Sequence, residues 1–150
     1  MTDSVRDVAE AHTGNFVGGI DRRSVLLIEH DLALRRAITV SLRALGHEVK
    51  DAESGDAGRL LLGHFAPDVL IVDFDYPEGR NASLIGSYRE RIDPQDGFVI
   101  VTTTQRLTEN WRQKHEPIKV LFKPFDMRLL IKMLKDHQIE GKESKPENDQ

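Results

Sequence analysis

The feature that most constrains the fold of this chain is a regular alternation between short apolar runs and segments with helical apolar spacing. Runs at 24–28, 47–50, 69–72, 98–101 and 118–122 are predicted as strands. Each is followed by a predicted helix, at 32–45, 53–65, 82–91, 105–115 and 126–137. Short apolar strands between helices are typical of a parallel sheet that is covered on both faces. The sequence therefore predicts an α/β fold with a doubly wound, five-stranded parallel sheet in the flavodoxin-like order 2-1-3-4-5.

Helix boundaries carry their own signals. Gly46 stands where a C′ glycine ends a helix, and Asp126 stands where a side chain caps the start of one. In the last predicted helix the residues expected on the apolar side are Leu129, Leu130, Met133 and Leu134.

Length and composition allow one domain with short tails. Apolar residues make up 39% of the 150, which is enough for a sizeable core. We predict a domain at 24–137, a flexible extension at 1–23 and a disordered polar tail at 138–150.

Composition also argues against several classes of function. The chain has no cysteine, which excludes disulfides, thiolate zinc sites and a cysteine nucleophile. The net charge is −4 and no segment of the sequence forms a basic stripe, which argues against direct binding of nucleic acid. No apolar run approaches the length of a membrane span, and the N-terminus lacks the apolar segment of a secretory signal. We therefore expect a soluble, cytoplasmic protein without a membrane partner.

Polar side chains follow the predicted strands at their carboxyl ends. They are Glu29-His30-Asp31, then Asp73 and Asp75, then Thr102-Thr103-Thr104, then Lys123. In a doubly wound sheet these ends meet at one edge. The combination suits phosphoryl transfer to a carboxylate, with Asp73 as the nucleophile. Carboxylates would bind a divalent cation, and a hydroxyl and an ammonium would bind the phosphoryl oxygens.

The order and spacing of these segments resemble the receiver domain of bacterial two-component response regulators. The matching segments are VLLIEHD at 25–31, PDVLIVD at 67–73 with Pro77 four residues on, VIVT at 99–102 and KPF at 123–125. The resemblance covers roughly residues 24–137. We expect no effector domain after it, so the resemblance is to the single-domain, chemotaxis-regulator-like members of the family.

The resemblance implies roles for the residues that would bind and hold the phosphoryl group. Asp73 corresponds to the phospho-acceptor, Thr102 to the switch hydroxyl and Lys123 to the lysine of the family pattern. Thr103 is the alternative to Thr102, since a strand shift of one residue would exchange them. The family also has a cis bond where Lys123 precedes Pro124, which an X–Pro bond tolerates.

The resemblance also implies a metal site, with a divergent acidic pocket. Glu29 and His30 correspond to the acidic pair that binds Mg²⁺, and Asp75 to a position whose backbone carbonyl joins the metal shell. Imidazole is a poor ligand for Mg²⁺, so His30 is expected to weaken the site. The Asp75 carboxylate is a candidate substitute ligand, and a metal that accepts nitrogen, such as Mn²⁺ or Zn²⁺, is an alternative. The other histidines have no metal-ligand spacing and are expected at the surface.

Two further departures concern the switch and a loop. Val120 stands where the family usually has a switch Tyr or Phe, which puts aromatic coupling to the hydroxyl in question. Arg80-Asn81 replaces the usual Asp-Gly, and Asn is the residue next most tolerant of left-handed backbone.

The expected function is that of a phospho-acceptor rather than an enzyme with its own substrate. A histidine kinase or phosphotransfer protein would supply the phosphoryl group to Asp73 in a two-component phosphorelay. A downstream protein partner would bind the face formed by helix 4 (105–115), strand 5 (118–122) and helix 5 (126–137). The alternative is a degenerate receiver that binds a partner without phosphorylation. A flavodoxin-like small-molecule site has little support, because no Gly-rich phosphate loop follows the first strand.

Overall fold

The computed structural model of the chain describes residues 22–75 and 80–137. The strands are β1 (Ser24–Ile28), β2 (Glu48–Ala52), β3 (Val69–Asp73), β4 (Phe98–Thr103) and β5 (Lys119–Phe122). They pair in parallel in the order β2-β1-β3-β4-β5. The helices are α1 (Leu32–Ala44), α2 (Gly55–Leu62), α3 (Ser83–Arg91), α4 (Glu109–His115) and α5 (Met127–Asp136). The predicted fold class and strand order are confirmed.

Three sequence-based expectations lie outside the described residues. They are the conformation of the extension up to residue 21, the tail at 138–150, and Pro77 in the loop after β3. Arg23, which the sequence analysis placed in the extension, is buried against the domain.

Strand side chains divide between two cores because they alternate across the sheet. On one face the odd-numbered residues of β1 and β3 pack with Ile38 and Leu42 of α1 and with Leu130 and Leu134 of α5. On the other face the even-numbered residues of β1 and β3 pack against α2 and α3, where Tyr88 is almost fully buried. The central strand β3 is buried along its whole length, as expected for a sheet with two covered faces.

The predicted helix boundary signals are present. Gly46 has φ of +97°, which is the left-handed conformation that ends α1. The Asp126 carboxylate accepts from the N–H of Arg128 and caps the start of α5. One expectation for this helix is wrong, since Leu129 is 47% exposed and not in the core. It lies beyond the edge of the apolar stripe that Leu130 and Leu134 form.

His47 is also buried, contrary to the expectation of a surface position. Its Nδ1 accepts a hydrogen bond from the backbone N–H of Arg23 at 3.0 Å. Burial, followed by the charge of Arg23, lowers the pKa of His47. The imidazole therefore acts as a structural acceptor that joins the start of β1 to the turn after α1.

No helix of residues 22–75 or 80–137 combines the length and the apolar character that a membrane span requires.

Candidate functional site

The carboxyl edge of the sheet brings a buried carboxylate and a lysine into contact. Asp73 is the last residue of β3 and has no exposed surface. The ammonium of Lys123, which follows β5, lies 3.1 Å from Asp73 Oδ1 and 3.0 Å from Glu29 Oε1. The predicted meeting of Glu29, Asp73 and Lys123 therefore occurs. The bond between Lys123 and Pro124 is cis, as the resemblance implied.

Lys123 is held in its charged form by this pair of carboxylates. Burial by itself would lower the pKa of the ammonium. Hydrogen bonds and charges from Glu29 and Asp73 outweigh that effect and raise the pKa above its ordinary value. A fixed positive charge beside a carboxylate is suited to offset the negative charge of an incoming phosphoryl group.

His30 fills the space between the two carboxylates. Its Nδ1 lies 2.6 Å from Asp73 Oδ2, within hydrogen-bond distance, and 3.3 Å from Glu29 Oε2. The imidazole is 37% exposed, whereas both carboxylates are buried. It therefore forms the outer wall of the site, on the side opposite Lys123.

These three residues can also be tested as a metal site. Ligand atoms of Glu29, His30 and Asp73 all lie within 4.8 Å of one another. The set offers two carboxylates and one imidazole nitrogen. It therefore fits a divalent cation that accepts nitrogen, such as Mn²⁺, better than Mg²⁺, which prefers oxygen ligands.

Asp75 does not join this cluster with its side chain, although the sequence analysis offered it as a substitute ligand. Its carboxylate accepts from the hydroxyl of Thr103 at 2.7 Å and from the N–H of Thr104 at 2.9 and 3.1 Å. Its Oδ2 is 3.9 Å from Lys123 Nζ. Because the side chain turns toward the end of β4, only its backbone N–H reaches Asp73, at 2.9 Å from Oδ1.

The structure places Thr103, not the preferred Thr102, at the polar end of β4. Thr102 pairs with Asp73 in the sheet register, but its hydroxyl is buried without a hydrogen-bond partner among the described residues. It continues the side of β4 that Phe98 and Ile100 present to α1 and α5. Thr103 lies on the opposite side and reaches Asp75. Strand alternation thus directs Thr103, and not Thr102, toward Asp75, while the assignment of the switch hydroxyl stays a prediction.

The side chain of Asn81 links two elements, whereas the sequence analysis related this residue to left-handed backbone. It lies in a short 3-10 helix at Arg80–Ala82, and no non-glycine residue among those described has positive φ. Its amide donates to the Asp73 backbone carbonyl at 3.1 Å and accepts from the N–H of Gly55 at 2.8 Å. It is thus the side chain of Asn81, not left-handed backbone, that ties the end of β3 to the start of α2. A polar residue eight positions after a strand-end acid gave no signal for this contact.

Solved structures with a similar fold include a chemotaxis protein and receiver domains of response regulators. The chemotaxis protein CheY4 of Vibrio cholerae superposes with a TM-score of 0.67 and 22% identity, covering 76% of this chain and 97% of that one. At this level of identity the likeness establishes the shared fold.

Curated relatives are bacterial response regulators. The transcriptional regulatory protein PhoP of Escherichia coli K12 is 33% identical over 92 residues, or 61% of this chain and 39% of that protein. The response regulator protein FleR of Pseudomonas aeruginosa is 32% identical over 118 residues, or 77% of this chain and 24% of that protein. The chain thus spans well under half the length of these relatives. No protein-family model matches it.

Proposed function

We propose that this chain, a receiver domain by its fold and related in sequence to response regulators, accepts a phosphoryl group on Asp73 and signals through a protein partner. The observation that carries the proposal is the contact of the buried Asp73 carboxylate with Lys123 at the carboxyl edge of the sheet. Ligands and reacting groups of such sheets lie at this edge.

The proposed reaction transfers a phosphoryl group from a donor to the carboxylate of Asp73. One carboxylate oxygen of Asp73 forms a bond to phosphorus, and the bond from phosphorus to the donor breaks. With a phosphohistidine of a kinase or phosphotransfer protein as the donor, the imidazole nitrogen keeps the electron pair and takes up a proton. The product is an acyl phosphate on Asp73. The Lys123 ammonium stabilises its added negative charge, and we assign the role of the switch hydroxyl to Thr103.

A divalent cation would be held by Glu29, His30 and Asp73. When bound, it supplies positive charge that reduces repulsion between the acceptor carboxylate and the phosphoryl donor. Mg²⁺ is the metal expected from the resemblance, and the nitrogen of His30 supports Mn²⁺ as a better fit.

The partner surface that we propose is the face of α4, β5 and α5. Phe122 at the end of β5 is 53% exposed, although it is a large apolar side chain. Beside it lies a groove of about 550 Å³ between α4 and β5, with Arg106 and Arg112 among its lining residues. An exposed aromatic side chain next to arginines has the composition favoured at protein interfaces.

Phosphorylation is tested by measuring intact mass after incubation with acetyl phosphate, with Mg²⁺ or Mn²⁺. We expect the native chain to gain one phosphoryl group and Asp73→Asn to gain none, because the amide is not a nucleophile. Asp96→Asn, which changes an exposed loop acid in the same way, should behave as the native chain. Thermal unfolding followed by circular dichroism checks that each variant is folded.

Two results would contradict the proposal. A folded native chain that gains no mass with either metal would leave the phosphorylation-independent binding module as the better account. A gain of mass in Asp73→Asn would place the acceptor elsewhere.

A further inference from the structure

The Asp75 carboxylate accepts hydrogen bonds from two donors that are placed to bind a phosphoryl group on Asp73, the Thr103 hydroxyl and the Thr104 N–H. It also lies 3.9 Å from the Lys123 ammonium. A hydroxyl, a backbone N–H and an ammonium are a typical set for binding anionic oxygens. The Asp75 side chain is only 15% exposed, so it is docked in this site and not turned out to solvent.

We propose that the Asp75 side chain competes with a phosphoryl group on Asp73 for these donors, and that it must leave them before Asp73 can be phosphorylated. This inference rests on the proposed function of Asp73. Asp75 is two residues after the acceptor, and its N–H already binds Asp73 Oδ1 at 2.9 Å. The Lys123 ammonium lies 3.1 Å from Asp73 Oδ1 and 3.9 Å from Asp75 Oδ2, so both carboxylates lie near the same charge. A phosphoryl group bound to Asp73 would therefore compete with the Asp75 carboxylate for the donors around it.

The competition has an electrostatic part and a hydrogen-bonding part. A second carboxylate beside Asp73 repels an incoming phosphoryl donor, whose oxygens carry the same sign of charge. The hydrogen bonds from Thr103 and Thr104 are made to a charged acceptor, and such bonds are stronger than those between neutral groups. Both parts favour the unphosphorylated state, so removal of the carboxylate should speed the reaction.

Substitution of Asp75 separates these contributions. We expect Asp75→Ala to be phosphorylated by acetyl phosphate about tenfold faster than the native chain, because the donors are released and the repulsion is removed. Asp75→Asn keeps a hydrogen-bond acceptor and loses only the charge, so its rate should lie between the two. Asp136→Ala removes the same charge from an exposed site at the far end of α5 and should leave the rate unchanged.

The outcomes distinguish this inference from the proposed function. Equal, measurable rates in the native chain and in Asp75→Ala would overturn the inference and leave the proposed function standing. A mass gain in Asp75→Ala without one in the native chain would support the inference, because it would show that Asp75 blocks the site, and would contradict the proposed function for the native chain. No gain in either folded protein would overturn both. The double variant Asp73→Asn, Asp75→Ala must gain no mass, since a gain would mean that another residue had been exposed to reaction.

Discussion

At the scale of residues, the site consists of charged and polar side chains that each contact an oppositely charged or hydrogen-bonding neighbour. Lys123 contacts Glu29 and Asp73, and His30 contacts the same two carboxylates from the other side. Every buried charge in this group therefore has a partner within hydrogen-bond distance, which offsets the cost of removing it from water. Substitutions here will act on metal and phosphoryl binding through their charge and ligand type.

Replacement of His30 by aspartate tests the role of the imidazole in metal preference. We expect His30→Asp to bind Mg²⁺ about tenfold more tightly than the native chain, because a carboxylate oxygen replaces the nitrogen ligand. Calorimetric titration with Mg²⁺ measures the change. Trp111, the one tryptophan, gives a second signal because its ring contacts Phe74 next to Asp73.

The control for this substitution is His64→Asp, which makes the same change at an exposed position. Its Mg²⁺ affinity should equal that of the native chain. If His30→Asp and His64→Asp bind Mg²⁺ equally well, the imidazole does not limit the metal site.

At the scale of elements, helix and loop positions depend on close contacts that only glycine allows. Gly97 precedes β4 and lies beneath the hydroxyl of Tyr88, which donates to the Pro67 carbonyl at 2.9 Å. A Cβ at Gly97 would come within 2.3 Å of that hydroxyl and 2.8 Å of the Asp68 carbonyl oxygen. Because the second contact is with backbone, it cannot be relieved by rotating a side chain.

Two glycine substitutions are therefore expected to change the free energy of unfolding in opposite directions. Gly97→Ala should lower the free energy of unfolding by about 1–3 kcal/mol, since it overpacks the junction of α3 and β4. Gly86→Ala lies within α3 with nothing within 4 Å of the added Cβ, and should raise the free energy of unfolding by about 0.5–1 kcal/mol. Urea unfolding measures both. Equal stability of the two variants would contradict the packing argument.

At the scale of the whole molecule, burial decreases from the middle of the sheet toward α4 and β5. Every residue of β3 is buried, only Leu121 is buried in β5, and no residue of α4 is buried. Segments with few buried contacts open locally at lower free energy than the global transition. We therefore expect α4 and β5, which form part of the face proposed for partner binding, to open at lower free energy than the centre of the sheet.

Amide hydrogen exchange of the native chain should reproduce this gradient. We expect amides of β1 and β3 to exchange only through global unfolding, and those of α4 to exchange faster by on the order of a hundredfold or more. Exchange followed by NMR at low denaturant concentration provides the measurement. Uniform protection of α4 and β3 would show that the molecule opens as one unit and would contradict the gradient.

Much of the fold could be predicted because its signals are local and repeated. The alternation of apolar strands with amphipathic helices is enough to indicate a parallel sheet, and right-handed crossovers limit its order. β1 was predicted with its observed bounds, while β2 and β4 each extend two residues beyond the prediction. These ends carry polar or mixed residues, whose strand conformation depends on pairing with a neighbour and not on their own pattern.

The sequence by itself determined that Glu29, Asp73 and Lys123 would meet, because the carboxyl ends of parallel strands lie at one edge of the sheet. Tertiary structure alone decided which threonine hydroxyl of β4 reaches Asp75, since that depends on which face of the sheet each threonine side chain points to. It also decided that the His30 imidazole lies between two carboxylates, that Asp75 turns to Thr103 and Thr104, and that Asn81 links β3 to α2. These contacts join residues on separate elements, and hydrogen bonds form only within a few tenths of an ångström of the right distance. Spacing along the chain does not specify distances of that accuracy, and the packing of the sheet against its helices does.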